Sequence, residues 1–358
     1  MNGKTVVGSP ERHLWPYGAD EAAPAIATRE EREARPLWTD WRQIWPWLVH
    51  RSFARILRYH IVGLCRHMLG RESAYGFSAG KLKQPLAAIS REDPRQTDSG
   101  DAIPNIIFQT WKSRHDIPPA FRHWRRTFSE KNPEYQCLLW DDADNRRFIA
   151  EQFPWFLALF DNFPAAIHRA DAIRPFFLFR YGGFYADMDT ECLRPLSGMK
   201  LSSDVVLGAM GANIKFAESI PNAVMASKPF QLFWTLFITF MMEEAQAAKG
   251  TYRGPVTITG PAILHKTVLF YQSMSESEVR SRARPVIDSL PDEFRLRLQA
   301  GKLQLLPPQV WYPIDWTNGV HQDLLRRFLR RRHLILRPSD SRLLFPGSTL
   351  VTYWTHTW

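Results

Sequence analysis

Residues 101–358 of this 358-residue chain predict an α/β fold with a mostly parallel sheet. Three features carry that expectation. Ile106-Ile107-Phe108 is a short run without polar residues, which suits a strand buried on both faces, as parallel strands are. A helix-length segment ending in Gly182-Gly183 leads straight into the apolar triplet Phe184-Tyr185-Ala186, and glycine is the residue that ends a helix cheaply. Further short apolar runs, Val205 to Gly208 and Leu303 to Leu306, are separated by helical stretches, the alternation from which such sheets are built.

Taken in order, the first strand ends at Gln109-Thr110-Trp111. Ligands of open α/β sheets sit beyond the carboxyl ends of the strands, and an indole there is a flat surface for a nucleotide base. Pro118 and Pro119 introduce a helix from Phe121 to Asn132 that carries Arg122, Arg125 and Arg126. Tyr135 to Trp140 reads as a second strand, followed by Asp141-Asp142. That acidic pair suits a ribose or the N-cap of a helix from Ala143 to Gln152, the role preferred for at least one of the two. Pro175 falls inside the next helix. A start near Asp171 would put it in the first turn, whereas a start near Ala165 predicts a kink.

Farther on, Asn213 and Asn222 are candidates to face an acceptor, and Phe230 to Met242 reads as a buried apolar helix too short to span a bilayer. Gly254 to Pro261 suggests loop or strand, residues 272–300 suggest charged helices outside the core, and Leu350 to Trp358 alternates like a strand.

Residues 1–37 are polar and without periodicity, so disorder is expected there. In residues 38–71, four tryptophans (Trp38, Trp41, Trp45, Trp47) precede an apolar stripe from Phe53 to Met68, with six arginines and no acidic residue between Arg42 and Arg71. An interfacial membrane helix and a helix packed on the following domain both fit. Residues 72–100 read as a linker. A net charge of +10 suggests an anionic partner: nucleotide-sugar, membrane surface or nucleic acid. The arginines between Arg326 and Arg337 are read first as a solvated basic face, with acidic lipid preferred to nucleic acid as a ligand. Cys65, Cys137 and Cys192 are odd in number and far apart, which supports neither a disulfide framework nor a zinc site. No early apolar segment reads as a secretory signal.

The chemistry concentrates at Asp187 and Asp189. Residues two apart in an extended chain face the same side, and two carboxylates sharing a small volume repel unless a cation separates them. A divalent ion there would neutralise a departing diphosphate. Upstream, Asp171 and Arg174 lie at i and i+3 on one helix face, an acceptor and a donor suited to a polyhydroxylated ligand.

Asp171-x-x-Arg174, a helix, then Tyr181-Gly-Gly-x-Tyr185-x-Asp187-x-Asp189 resembles the signature of glycosyltransferase family 32, the sugar-binding region with the DXD motif. Ile103 to Lys112, Thr257 to Pro261 and His356-Thr-Trp358 are similar to its opening and closing segments, so the resemblance covers residues 101–358. It implies a GT-A-like domain moving a hexose from a nucleotide sugar to a glycan or lipid acceptor with retention, helped by Mn²⁺ or Mg²⁺. Within it, Asp187, Asp189 and Arg174 are the expected catalytic residues. Gln109, Thr110, Trp111, Asp171, Arg174, Tyr185 and Trp358 would bind the donor, and Asp187, Asp189 and His356 the metal. The wording around Asp187 is most similar to fungal α-1,6-mannosyltransferases and mannosyl-inositolphosphoceramide synthases, which makes GDP-mannose the preferred donor over UDP-galactose or UDP-glucose. It also implies a Golgi or endomembrane setting, to which the basic segment 38–71 adds a peripheral membrane association as an expectation. An inactive basic scaffold is the alternative from another class, and nucleic acid is the least favoured partner.

Overall fold

The computed structural model describes residues 93–94, 102–211, 216–318 and 345–355. The expectations for residues 1–37, 38–71 and most of 72–100, for Asn213, for Arg326 to Arg337, and for His356 and Trp358 lie outside them.

The first strand, β1 (Ile106–Thr110), is buried along its whole length. Helix α1 (Pro119–Lys131) turns Phe121, Trp124 and Phe128 inward and returns the chain to β2 (Gln136–Trp140). β2 lies parallel to β1, with Phe108 opposite Leu138. Helix α2 (Asp142–Gln152) begins as the acidic pair suggested. Asp141 is its N-cap, accepting from the Asp144 amide at 3.1 Å while Asp144 accepts from the Asp141 amide at 3.1 Å. Arg114 pairs with both carboxylates at 3.2 Å. Capping therefore uses Asp144, although Asp142-Ala143-Asp144 is itself an Asp-x-Asp.

Helix α3 (Pro154–Asp161) precedes α4 (Ala166–Tyr181), which is continuous through Pro175. It starts early, as the second alternative required, so the Asp171 carbonyl loses the amide that residue 175 would have offered. Burial offsets that loss: Ile173, Phe176, Phe177, Leu178 and Phe179 are all fully enclosed, each contributing on the order of 2 kcal/mol. The helix stops at Gly182, whose φ of 67° lies in the left-handed region and whose amide bonds the Leu178 carbonyl at 3.0 Å. Gly183 follows at φ 87° and opens β3 (Gly183–Ala186). A Cβ there would lie 2.5 Å from the Ile106 carbonyl oxygen, so β1 and β3 approach as closely as they do only because it is absent.

β4 (Thr190–Cys192) leaves the main sheet, while β5 (Val205–Gly208) and β6 (Val224–Ser227) return to it. Helix α5 (Leu232–Ala247) is the expected apolar helix, with ten consecutive residues, Leu232 to Met241, buried. No helix among the described residues is long and apolar enough to cross a membrane. The segment from Gly254 to Pro261 is neither strand nor plain loop. It holds the short helix α6 (Pro255–Ile258) and the start of α7 (Pro261–Ser273), because each proline occupies a first-turn position that lacks a helical partner anyway.

The sheet order is β2-β1-β3-β6-β5-β7, with β7 being Leu303–Leu306. β1 is parallel to β2 and β3, and β5 to β7, while β6 is antiparallel to both its neighbours. The mostly parallel expectation holds with that one reversal. Strand residues alternate between two cores: Ile106, Phe108 and Tyr185 join the aromatic cluster around α4 and α5, whereas Ile107, Phe184 and Ala186 face Phe128, Leu306 and Trp311. After α11 (Pro308–Trp311), β8 (Leu350–Thr352) pairs antiparallel with β4, with Thr352 opposite Thr190.

Residues 272–300 correct an expectation. Their helices α8 (Glu276–Arg282), α9 (Arg284–Ser289) and α10 (Asp292–Arg295) are charged outside, but Val279, Val286, Leu290, Phe294 and Leu298 belong to the main core. Phe294 sits among Phe153, Phe179 and Phe230 at centroid distances of 5.9, 6.2 and 5.6 Å. Charge density concealed an apolar stripe. Phe294→Ala is expected to cost about 3–5 kcal/mol in urea unfolding, whereas a position outside the core would cost within about 0.5 kcal/mol. Gly183→Ala is expected to lower stability by at least about 2 kcal/mol, read by the same titration, since it meets both a left-handed φ and the Ile106 carbonyl.

Candidate active site

β3 delivers Asp187 at its carboxyl end. The Asp187 amide donates to the Ala223 carbonyl at 2.8 Å, and its own carbonyl accepts from the Thr190 amide at 3.0 Å. That second bond closes a tight turn over Asp187-Met188-Asp189. The two aspartates therefore meet through a turn and not through the pleat of an extended strand, with Met188 buried between them. Asp189 is held from the far end of the chain. Its carbonyl accepts from the Tyr353 amide at 3.0 Å, and its Oδ2 accepts from the Thr355 amide at 2.8 Å and the Thr355 hydroxyl at 3.0 Å. The β4–β8 ribbon brings those residues there.

One turn of α4 supplies the rest. Arg174 Nη2 lies 2.8 Å from Asp171 Oδ1 and 3.0 Å from Asp187 Oδ1. Its Nη1 donates to the Asn222 carbonyl at 2.9 Å, and its Nε to the Ala170 carbonyl at 3.2 Å. Four of the five guanidinium N–H groups are thus used inside the protein. The guanidinium also covers the Tyr185 ring at 4.8 Å, and the Tyr185 hydroxyl donates to Asp187 Oδ1 at 2.8 Å. Asp171, Arg174, Tyr185, Asp187 and Asp189 are all buried. Arg174 and Tyr185, both expected at the donor, each bond Asp187 Oδ1.

Burial shapes the charges. Desolvation pushes the Asp187 carboxyl up to about 7, against the pull of Arg174 and with a further push from Asp189. Asp171 is raised by the same desolvation, opposed by Arg174. For Arg174, burial works against the charge, but Asp171 and Asp187 outweigh it and hold the guanidinium protonated. Asp171, Asp187 and Asp189 against the single positive charge of Arg174 leave an excess of two negative charges when all are ionised. A divalent cation carries that charge, and a hard oxygen donor pair suits Mg²⁺ or Mn²⁺. Among the described residues no group of three His, Cys, Asp or Glu side chains is placed to hold a metal ion.

The other expected residues divide. Gln109 is buried and reaches the Asp187 carbonyl at 3.5 Å. Thr110 accepts from the Asn145 side chain at 2.7 Å, which ties β1 to α2. Trp111 is half-buried, with its indole N–H donating to the Asp116 carbonyl at 2.7 Å and its ring 4.8 Å from Phe121. Asn222, a candidate to face an acceptor, is buried and contributes its carbonyl to Arg174. Gly260 adjoins the site, since a Cβ there would lie 3.3 Å from Asp171 Oδ2. Sequence reasoning missed Ala223 and Thr355. The first acts through its backbone, and the second lies 166 residues from its partner, so neither leaves a local signal.

Residues 118–207 match the family described as glycosyltransferase sugar-binding region containing DXD motif. Inositol phosphoceramide mannosyltransferase 2 of Schizosaccharomyces pombe is 30% identical over 50% of this chain and 50% of its own length. Mannosyl phosphorylinositol ceramide synthase SUR1 of Saccharomyces cerevisiae is 36% identical over 43% and 42%. The initiation-specific alpha-1,6-mannosyltransferase of Saccharomyces cerevisiae is 36% identical over 28% and 22%. The chain thus spans half or less of the length of these relatives. Asp171, Arg174 and Asp187-Met188-Asp189 all fall inside the matched segment.

Proposed function

We propose that this chain is a metal-dependent, retaining hexosyltransferase that moves mannose from GDP-mannose to a glycolipid or glycan acceptor. The observation that carries the reading is the buried Asp171–Arg174–Asp187 network set beside Asp189 at the end of β3. The names of the similar fungal proteins support mannose as the sugar and an inositol phosphoceramide as the acceptor class. UDP-galactose and UDP-glucose are the alternative donors. A Golgi or endomembrane setting with peripheral membrane association is part of the same proposal.

Asp189 and Asp187 would hold Mn²⁺ or Mg²⁺, which when bound neutralises charge on the leaving diphosphate. The chain's own residues do the positioning. Arg174 keeps Asp171 and Asp187 at a fixed separation, and Tyr185 holds Asp187 Oδ1 in place. Asp171, beside Gly260, accepts from hydroxyls of the donor hexose. Asp187 Oδ1 is engaged by both Arg174 and Tyr185, which argues against a covalent nucleophile there and for front-side attack. The acceptor oxygen bonds the anomeric carbon on the face from which the diphosphate leaves. The bond to the diphosphate breaks with its electron pair, and the acceptor proton passes to a departing phosphate oxygen.

Purified protein given a panel of nucleotide sugars is expected to release GDP from GDP-mannose with Mn²⁺ but not with EDTA, and Asp189→Ala is expected to abolish that release. Release from a UDP-sugar alone would change the donor, and no metal-dependent turnover or binding for any donor would favour the scaffold. Arg174→Ala leaves Asp171 and Asp187 buried without their counterion. It is expected to cost about 3–5 kcal/mol in urea unfolding, with loss of activity.

A further inference from the structure

Arg174 and Asp187 hang on two successive carbonyls. Arg174 Nη1 donates to Asn222 at 2.9 Å, and the Asp187 amide donates to Ala223 at 2.8 Å. The residues on either side of that pair converge on one hydroxyl. Tyr312 Oη accepts from the Val224 amide at 2.7 Å and lies 3.1 Å from the Pro221 carbonyl and 3.0 Å from the Val224 carbonyl, one of which takes its proton. Burial raises the phenol well above its ordinary value, so the hydroxyl keeps that proton. The Tyr312 ring meets the other half of the site. Its centroid is 5.5 Å from that of Trp354, and the neighbours of Trp354, Tyr353 and Thr355, are the residues that hold Asp189. Trp354 has φ 51° and is anchored by its indole N–H to the Ile314 carbonyl at 2.8 Å.

We propose that Tyr312 is a positioning residue that sets the placement of Asp187 relative to Asp189, through its hydroxyl on one side and its ring on the other. The proposal rests on the reading of these aspartates as the metal-holding pair. A tyrosine that only filled the core would need its ring, but its hydroxyl would not need to straddle the two residues that carry the site. The ring is seated on the backbone of β5, because a Cβ at Gly208 would lie 2.7 Å from Tyr312 Cε2. Gly208 therefore offers a second handle, one that moves the tyrosine without removing its hydroxyl.

Tyr312→Phe keeps the ring and leaves the Val224 amide without its acceptor. With GDP-mannose and Mn²⁺ it is expected to lower kcat about 10- to 100-fold, the usual effect of losing a group that orients a metal-site residue, with KM little changed and the protein folded by circular dichroism. Hydrogen exchange should quicken in peptides covering 219–227 and 183–190 and stay unchanged in 136–152. Gly208→Ala, which displaces the ring, should loosen 183–190 and 349–355 together. Unchanged kcat in Tyr312→Phe, or faster exchange confined to 219–227 in both variants, would overturn the proposal. Should the parent protein turn over no nucleotide sugar, the functional reading fails, and the exchange data alone decide the structural link: loosening of 183–190 upholds it and its absence overturns it.

Discussion

A single buried guanidinium organises this site. Arg174 joins two carboxylates from different elements, Asp171 on α4 and Asp187 at the end of β3, and is itself held by the Asn222 carbonyl from a third. A charge enclosed this completely is tolerated only because nearly all of its donors have partners. Its neighbours are still not neutralised, because Asp189 adds a further negative charge. The site carries more negative than positive charge, which favours a bound cation. The stability of the fold and the chemistry of the site therefore draw on the same residue.

Backbone constraints place that residue. α4 must end and β3 must begin within two residues, and Gly182 and Gly183 do this with consecutive positive φ angles. The close approach of Gly183 to Ile106 then lets β3 lie between β1 and β6, so that Asp187 emerges where the strand order passes from parallel to antiparallel pairing. Pro175 weakens α4 at the Asp171 carbonyl, and the aromatic core around Phe176 and Phe177 offsets that weakness. A helix of this composition gains little from amphipathicity. From Asp171 to Phe179 it is enclosed on all sides, which fixes the side-chain positions more firmly than a half-exposed helix would.

Local signals and long-range contacts were unequally legible. The apolar strands, the glycine stop, the acidic cap of α2 and the Asp171/Arg174 pair were all readable from neighbouring residues, since each depends on contacts within a few positions. The helices of residues 272–300 were misjudged because their charge is on the surface while Phe294 and its neighbours complete a core made elsewhere. Gly254 to Pro261 was misjudged because a proline followed by short apolar stretches fits a loop or a first helical turn equally well.

The sequence by itself determined that Asp187 and Asp189 follow a glycine-terminated helix and a short strand, and that Asp171 and Arg174 share a helix face, because dihedral preference and helical spacing are local properties of the chain. Only the tertiary structure decided that Arg174 points into the carboxylates, that the two aspartates meet in a turn, and that Thr355 and Tyr312 complete the site. The last two contacts join residues 166 and 88 positions apart, and a hydrogen bond between distant segments is set by how the sheet and its ribbon bring them together, which no local pattern encodes.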